Sequence, residues 1–322
     1  MTAGIDAGCV RLRLAGDHGR VSEVTVASER PAIAQLLRGR PADDALRLVP
    51  LLFALCGKAQ GRAAALALEA ARGTECSLRL DPEIQREALR EHLWRWLLDL
   101  PPMLGDVAMR DEFVAAAGWI AGGQRAELGA LLAGPRLVAL RQRLTDMEDA
   151  GGPASRLLPP MDAQGSLAWW PRLDAGFCRM PHWAGAAAET GAFARQQGRA
   201  GTTEKAFAGR WLARLEELRD WAAGAEEVGA GGTASAARVA AGSGRALVET
   251  ARGLLMHEIV LDGARIADYF IVAPTEWNFH PQGPLSGWLA GRDATDREAV
   301  QRFAARAVAA LDPCVRWELE WL

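Results

Sequence analysis

The sequence predicts an α+β protein, mainly α, in which a helical core is accompanied by small β-hairpins near both ends. Apolar residues recur at helical spacing over long stretches, and several of these stretches begin with capping residues. Two pairs of alternating runs are each separated by a glycine-containing turn, which is typical of hairpins. No boundary divides the chain, so we expect residues 1–322 to form a single domain.

The N-terminal hairpin is predicted from residues 9–14 and 21–27, which alternate in polarity on either side of Gly16-Asp17-His18-Gly19. His18 is expected to be solvated at its tip. A helix over residues 43–55, apolar on one face, follows the hairpin.

The clearest helix spans residues 81–99, where Asp81 suits the N-cap and Pro82 the first turn. Pro101-Pro102 is expected just beyond its end. His92 lies on this helix, and packing or a surface position explains it better than metal binding does.

Further helices are predicted over residues 109–132, with a break at Gly122-Gly123, and over 136–147, 202–223 and 297–311. Thr202 or Thr203 is expected to cap the third of these, and Asp296 the last. The Gly/Ala/Ser-rich segment 224–244 is predicted to be a loop or a helix with flexible flanks. Residues 154–201 receive no assignment.

Composition excludes several classes of function. The net charge of −3 gives no basic field for nucleic acid. No apolar run is long enough to span a membrane, and residues 1–6 do not begin a signal peptide. The five cysteines, at positions 9, 56, 76, 178 and 314, are widely spaced and contain no CxxC pair, which indicates free thiols in a cytoplasmic protein.

A candidate ligand pocket lies between two loops near the C-terminal end. Arg252 belongs to Ala251-Arg252-Gly253, and a hairpin with a turn at Asp262-Gly263 separates it from the loop Thr275-Glu276-Trp277-Asn278. The hairpin would bring Arg252 and Thr275 to one end, after Pro274 closes the second strand. A guanidinium and a hydroxyl there would suit an anionic or strongly accepting ligand. An ordinary salt bridge beside a simple turn is the alternative explanation.

Two cysteines stand at helix boundaries. Cys56-Gly57 interrupts a helical run, and a helix N-terminus favours a thiolate, although a buried structural cysteine is the commoner explanation. Cys314 follows Asp312-Pro313, where proline pushes the preceding residue out of the α region and ends the last helix. The spacing of Cys178 and His182 could hold a metal, but Met180-Pro181 between them makes a regular helix unsuitable, so we treat the pair as chance.

These stretches, in this order, resemble the large subunit of nickel–iron hydrogenases. That family carries C-G-x-C with a following histidine early, an arginine loop, hairpin and T-W-N loop late, and D-P-C-x-x-C with a histidine last. Its four thiolates hold nickel, and two of them also bridge to iron. In this sequence Cys56 and Cys314 match the first cysteine of each motif, and Ala251 replaces the proline before the arginine. Residues 105–240 match poorly.

The resemblance also shows what is missing. Ala59 and Trp317 stand at the second cysteines, both of which bridge the metals in the family, and Ala63 and Glu320 stand at the histidines. Ala34 stands where the family has a proton-relay glutamate. Hydrogen activation is therefore not expected, and neither is nickel.

The retained residues resemble the HupK/HoxV group of hydrogenase accessory proteins, which are degenerate large-subunit homologues. The resemblance implies a non-enzymatic scaffold in hydrogenase maturation that transiently holds an Fe(CN)2(CO) fragment through Cys56 and Cys314. Arg252, Thr275, Ala251 and Pro274 would form the pocket for the cyanide ligands. The implied partners are the HypC/HypD-type delivery complex and the immature large subunit.

A metal-free docking protein is the alternative function, since a degenerate copy could bind maturation factors or hydrogenase subunits. The twelve tryptophans would suit such surfaces. A residual redox enzyme fits least well, because the bridging cysteines and the relay glutamate are absent.

Overall fold

The computed structural model describes residues 8–30, 33–53, 56–147, 156–197, 206–225 and 231–322. Helices and two β-sheets make up this part of the chain, which confirms the α+β class with a mainly helical content. Thr202 and Thr203, predicted as caps, lie outside the described residues. Within the described residues, no helix is both long and apolar enough to cross a membrane.

The first sheet contains the predicted N-terminal hairpin. Strands β1 (Cys9–Asp17) and β2 (Arg20–Glu29) pair antiparallel, and β8 (Arg316–Trp321) pairs parallel to β1 on its other side. Alternate residues of β1 point into the core, where Val10, Leu12 and Leu14 are fully buried. The hairpin prediction is confirmed, whereas β8 was not predicted.

The second sheet has five antiparallel strands in sequential order. They are β3 (Cys76–Leu80), β4 (Thr233–Ala240), β5 (Ser243–Thr250), β6 (Gly253–Asp262) and β7 (Arg265–Val272). The predicted C-terminal hairpin is its last pair, with the turn one residue later than expected, because Asp262 pairs with Arg265.

The loop prediction for residues 224–244 is wrong where β4 and β5 run. Small residues are required there because the sheet packs very closely on a helix: a Cβ added at Gly244 would lie 2.2 Å from the backbone N of Ala71. That helix is α2 (Gly57–Ala71), which follows α1 (Asp44–Leu52). Its alanines at positions 59, 63, 64, 67 and 70 are buried against the sheet.

The helical layer packs between the two sheets. It contains α3 (Pro82–Trp94), α4 (Leu100–Met103), α5 (Arg110–Gly122), α6 (Arg125–Leu132), α7 (Pro135–Asp146), α11 (Ala206–Ala222), α13 (Pro284–Leu289) and α14 (Arg297–Leu311). The predicted break between α5 and α6 is confirmed, with Gly123 at a φ of +72°. The caps are confirmed too: Asp81 accepts from Glu83 N at 3.0 Å, and Asp296 from Ala299 N at 2.9 Å.

The helix that starts at Pro82 does not end where proline suggested. A π-helical turn (Arg95–Asp99) continues it, and α4 then includes Pro101 and Pro102. Proline is tolerated there because it sits in the first turn of the short α4, where its missing N–H is not needed. His92 is fully buried and contacts Glu217, so the packing prediction is confirmed.

Short helices cover the sheet edge near the predicted pocket. They are α8 (Ala163–Trp169), α9 (Ala175–Arg179), α10 (Ala192–Arg195) and α12 (Pro274–Asn278), with a 3-10 helix (Ile33–Leu37) beside β7. The segment of Thr275, expected to be a loop, is therefore helical, and Pro274 occupies its first turn.

Candidate cysteine site

Cys56 lies at the start of α2, half-buried, with its backbone N donating to Phe53 O at 3.2 Å. One turn later, Gln60 Nε2 lies 3.7 Å from Cys56 Sγ. The interruption of the helix at Cys56-Gly57 therefore places the sulfur at the N-terminal end of α2, the helix that packs on the five-stranded sheet.

At this helix end, burial opposes the thiolate that the helix N-terminus would favour. Burial raises the pKa of Cys56 to about 12, and the neighbouring Cys314 contributes in the same direction. The helix amides are also occupied, because the Glu87 carboxylate accepts from Lys58 N at 2.9 Å and Ala59 N at 3.1 Å. Its negative charge further raises the pKa of Cys56, and Arg252 opposes it.

Cys314 is half-buried between the end of α14 and β8. Thr275 Oγ1 lies 3.1 Å from its Sγ and accepts from its backbone N at 3.3 Å. Thr275 itself is 1% exposed, so its hydroxyl is fixed against the sulfur. The structure therefore places two of the predicted site residues, Thr275 and Cys314, in direct contact.

Arg252 is buried and doubly paired. Its Nε lies 3.2 Å from Asp312 Oδ1 and its Nη2 lies 2.9 Å from Glu91 Oε2. Among the described residues, no hydrogen bond is found for its Nη1. Arg252 therefore forms the buried salt bridges of the second sequence interpretation, and its role toward a ligand stays a prediction.

The carboxylate of Asp312 joins the arginine loop to the cysteine. Arg95 from the π-helical turn lies 2.6 Å from Oδ1, and Arg214 lies 3.9 Å from Oδ2. Together with Arg252, these arginines hold the pKa of Asp312 well below its usual range, despite its burial. Asp312 also has a φ of +57°, which is unusual outside glycine, and the preceding helix ends there.

Asn278 fixes the spacing of the loops around this carboxylate. Its Nδ2 donates to Arg252 O at 3.2 Å and to Leu311 O at 3.5 Å, while its Oδ1 accepts from Thr190 N at 2.9 Å. The end of the hairpin and the end of α14 are therefore held together by one buried amide.

Two guanidinium groups interact electrostatically with both thiols. Asp312 and Glu91 raise the pKa of Arg252, and Glu276 raises that of Arg30, with smaller contributions in the same direction from Cys314 and Cys56. Arg30 follows β2 directly, and its Nη1 lies 3.3 Å from Glu276 Oε1. Nothing in the sequence pattern pointed to Arg30. The two cysteines therefore share two guanidinium groups, each of which is also paired with a carboxylate.

The other predicted positions line the surroundings of the site. Ala251 is 5% exposed in the arginine loop, and Pro274 is buried in α12. Trp317 and Glu320 belong to β8, where Glu320 pairs with Arg13 at 3.2 Å. The two positions at which the resembling hydrogenase motif has its second cysteine and its histidine therefore belong to strand β8 of the first sheet.

A cavity of about 160 Å³ lies beside this site and is lined by Arg30, Glu276, Tyr269, Ala34 and Cys178, among others. It is smaller than the pockets that bind drug-sized ligands, which begin at roughly 300 Å³. Cys178 sits in α9, and burial raises its pKa to about 12. Across the described ranges, no group of three or more His, Cys, Asp or Glu side chains could hold a metal ion.

Comparison with known protein families identifies a match in the C-terminal part of the chain. The family of nickel-dependent hydrogenases matches residues 184–316, a range that includes the arginine loop, α12 and Cys314 but not Cys56. Solved structures agree on the fold. A NiFeSe hydrogenase variant from Desulfovibrio vulgaris Hildenborough has a TM-score of 0.62 at 16% identity, covering 93% of this chain and 94% of its own. A reduced NiFeSe hydrogenase from Desulfomicrobium baculatum has a TM-score of 0.55 at 14% identity, with coverage of 94% and 95%.

Several curated proteins are similar over nearly the whole chain. The hydrogenase expression/formation protein HoxV of Cupriavidus necator is 34% identical, with 92% of each chain covered. HupK of Rhizobium leguminosarum is 31% identical, covering 99% of this chain and 98% of its own, and HupK of Azotobacter vinelandii is 30% identical with 97% of each covered. This chain therefore belongs to the HoxV/HupK family of hydrogenase expression/formation proteins.

Proposed function

We propose that this protein acts in hydrogenase maturation as a scaffold that transiently holds an Fe(CN)2(CO) fragment as cargo. Its relatives are named hydrogenase expression/formation proteins, which supports the maturation role. The observation that carries the finer proposal is the grouping of Cys314, in contact with Thr275 at 3.1 Å, with Cys56 and two guanidinium groups.

The donor set fits this cargo chemically. Soft thiolates are suitable ligands for low-spin iron, and each thiol loses its proton when its sulfur binds the metal. Arg252 keeps Nη1 free of hydrogen bonds among the described residues, so it can donate to the nitrogen end of a cyanide ligand. Thr275 adds a hydroxyl beside Cys314, and Arg30 adds a guanidinium that interacts electrostatically with both cysteines.

A two-sulfur site also suits temporary storage. Burial raises the pKa of Cys56, and each of the two thiols must give up a proton to bind iron, so protonation of the sulfurs opposes binding. Release to an acceptor with four thiolates is then favourable, because the acceptor offers more ligands. We propose that the HypC/HypD-type complex supplies the fragment and that the immature large subunit receives it, in the cytoplasm and without catalysis or nickel.

Infrared spectroscopy on protein purified without oxygen, from a host that contains the hydrogenase maturation machinery, tests the scaffold. Carbonyl and cyanide stretching bands are expected in the natural protein and are expected to vanish in Cys56→Ala and in Cys314→Ala. Cys76→Ala is the matched control, because Cys76 lies on β3 and is also half-buried. Bands that survive in Cys314→Ala would contradict the assignment.

A metal-free docking role is the second candidate, and a specific surface favours it. Trp169 is 50% exposed and packs on Trp183 with ring centroids 5.6 Å apart, and Met180, three residues before Trp183 in the sequence, is 52% exposed. Such aromatic and methionine surfaces are typical of protein interfaces. A spectrum without bands, together with stable co-purification of maturation proteins that Trp169→Glu abolishes, would favour this function.

A further inference from the structure

Three buried polar side chains form a chain of hydrogen bonds that ends on the sulfur of Cys56. Gln60 Nε2 lies 3.7 Å from Cys56 Sγ, and Gln60 Oε1 lies 2.9 Å from His257 Nε2. His257 Nδ1 lies 2.8 Å from the hydroxyl of Tyr269, the single tyrosine of the sequence. Each of these three residues is at most 1% exposed, so water does not compete for their hydrogen bonds.

These hydrogen bonds connect α2, which begins beside Cys56, to the five-stranded sheet on which it packs. Gln60 belongs to α2, His257 to β6 and Tyr269 to β7, and Tyr269 also lines the cavity beside Arg30. None of these residues belongs to the set that sequence analysis assigned to the site. The signal available in the sequence is that Gln60 follows Cys56 by four residues, one helical turn away.

Donation along these hydrogen bonds can run in only two directions. Burial lowers the pKa of His257 to about 3, so the imidazole is neutral at physiological pH and has one donor and one acceptor nitrogen. If Nε2 carries the proton, it donates to Gln60 Oε1, Nδ1 accepts from Tyr269, and the Gln60 amide N–H points at the sulfur. If Nδ1 carries the proton, the amide is reversed and its oxygen faces the sulfur.

Only the first direction is compatible with a sulfur that carries negative charge. A thiolate accepts hydrogen bonds, and an amide oxygen against it would be repelled. The ring nitrogen of His257 that carries the proton therefore determines whether the Gln60 amide stabilises or repels a negatively charged Cys56 sulfur.

We infer that Gln60 is a positioning residue for Cys56, and that His257 and Tyr269 fix the direction of its amide so that an N–H group faces the sulfur. This inference rests on the proposed function for its consequence. The amide holds the sulfur in place before the iron fragment arrives, and its N–H withdraws electron density from the sulfur once iron is bound. Both effects are pre-organised, because all three side chains are held by packing.

The direction in which the hydrogen bonds run from Tyr269 to Cys56 can be tested without iron. Nitrogen-15 NMR of histidine-labelled protein distinguishes the two tautomers, and the signals of His257, one of five histidines, are assigned by their loss in His257→Phe. A single Nε2–H tautomer is expected, and Tyr269→Phe is expected to give a mixture because Nδ1 loses its donor. An Nδ1–H tautomer in the natural protein would overturn the inference.

The effect on bound iron is tested by infrared spectroscopy of loaded protein. Gln60→Met preserves side-chain volume but removes the N–H group, so the sulfur donates more strongly and the carbonyl band is expected to shift to lower wavenumber. Gln85→Met is the matched control, since Gln85 is also buried, on α3, and is not part of the chain. An unshifted carbonyl band in Gln60→Met would overturn the positioning role.

The two measurements separate this inference from the proposed function. An infrared spectrum of the natural protein without carbonyl or cyanide bands would contradict the scaffold function. The tautomer of His257 would still determine the direction of the hydrogen bonds that end on Cys56. Natural protein that shows the bands, with an Nδ1–H tautomer on His257, leaves the scaffold function intact and overturns the inference. Tyr269→Phe removes only one hydroxyl, so it remains informative even where Gln60→Met fails to fold.

Discussion

Arg252 Nε and Asp312 Oδ1 lie 3.2 Å apart in a buried ion pair that joins residues 60 positions apart in the sequence. Asp312 holds a φ of +57° two residues before Cys314, and it is also paired with Arg95 at 2.6 Å. The position of the cysteine is thus coupled to the charge of this carboxylate. Strained backbone of this kind persists where the surrounding contacts over-determine it.

Neutralising that carboxylate is expected to be costly. Asp312→Asn removes the carboxylate that Arg252, Arg95 and Arg214 share in the interior, so the free energy of unfolding should fall by roughly 3–5 kcal/mol. Urea denaturation followed by circular dichroism measures this change. Asp106→Asn is the control, because its pair with Arg143 is about half exposed and should contribute about 0–1 kcal/mol. Equal effects of the two variants would contradict the coupling described above.

Stability is expected to fall as the solution becomes acidic, in part because of His257. Its pKa is lowered from 6.5 to about 3 by burial. Between these values the unfolded chain binds a proton that the folded chain does not, so stability rises with pH, by ~1.4 kcal/mol per unit from this residue. Its contribution is complete above pH 6.5 and is lost progressively as the pH falls toward 3.

Denaturation series across that pH range measure the slope. His257→Phe is expected to flatten it, at the cost of some stability from the lost hydrogen bonds. His18→Gln, which changes an exposed imidazole at the hairpin tip, is the control. A slope that stays the same in His257→Phe would show that other groups account for the acid sensitivity.

The carboxylate at the start of α2 is expected to restrain the reactivity of Cys56. Glu87→Gln keeps an acceptor for the amides of Lys58 and Ala59 but removes the charge that raises the pKa of Cys56. Alkylation of Cys56 by iodoacetamide at mildly alkaline pH should accelerate, by less than about tenfold, since tenfold corresponds to one pKa unit.

Peptide mass spectrometry resolves the alkylation of each cysteine. Glu83→Gln is the control, because its carboxylate pairs with the Lys58 ammonium at the surface, 3.2 Å away. Slower alkylation in Glu87→Gln would mean that the carboxylate acts mainly by holding the helix end in place.

The hydroxyl of Thr275 is expected to matter more for cargo than for folding. Thr275→Val keeps the shape but removes the group that lies 3.1 Å from the sulfur of Cys314. The free energy of unfolding should fall by about 1 kcal/mol, the usual contribution of one hydrogen bond. The carbonyl and cyanide bands of loaded protein should weaken, while Thr275→Ser, which keeps the hydroxyl, should retain them. Full bands in Thr275→Val would remove Thr275 from the proposed pocket.

Close packing between α2 and the sheet is expected to make Gly244 intolerant of any side chain. Gly244→Ala would place a Cβ 2.2 Å from Ala71 N and 2.4 Å from Ala67 O, both backbone atoms, so the helix must shift. Overpacking of this kind costs roughly 1–3 kcal/mol or more. Gly118→Ala on α5, where nothing lies within 4 Å, should instead stabilise by about 0.5–1 kcal/mol. Thermal denaturation of both variants separates the two outcomes.

The helices and their caps were predictable because their signals are local. Asp81, Asp296 and the Gly122-Gly123 break act within a few residues of where they stand, and the structure confirms each. Strands β4 and β5 were missed because their alanines, serines and glycines have low strand propensity and form a sheet only against α2. Tertiary packing decided the structure there.

The candidate site shows the same division. The sequence order of Cys56, Arg252, Thr275 and Cys314 predicted one pocket, and the structure places Thr275 against Cys314, while their roles remain predictions. Burial, which the local sequence does not reveal, raises the pKa of Cys56 most, and Glu87, 28 residues from Ala59, occupies the helix amides that were expected to favour a thiolate. Arg30 and His257 were missed for a similar reason, since their partners are distant in sequence.

The parallel pairing of β8 with β1 has a consequence for biosynthesis. Cys314 directly precedes a strand whose partner, beginning at Cys9, leaves the ribosome first, whereas the strand itself emerges roughly 300 residues later. Pairings over such separations form late, because loop closure must precede them. The nascent polypeptide therefore contains Cys56 long before Cys314 is synthesised and can lie near it. We therefore expect the proposed cargo to bind only after β8 has paired with β1.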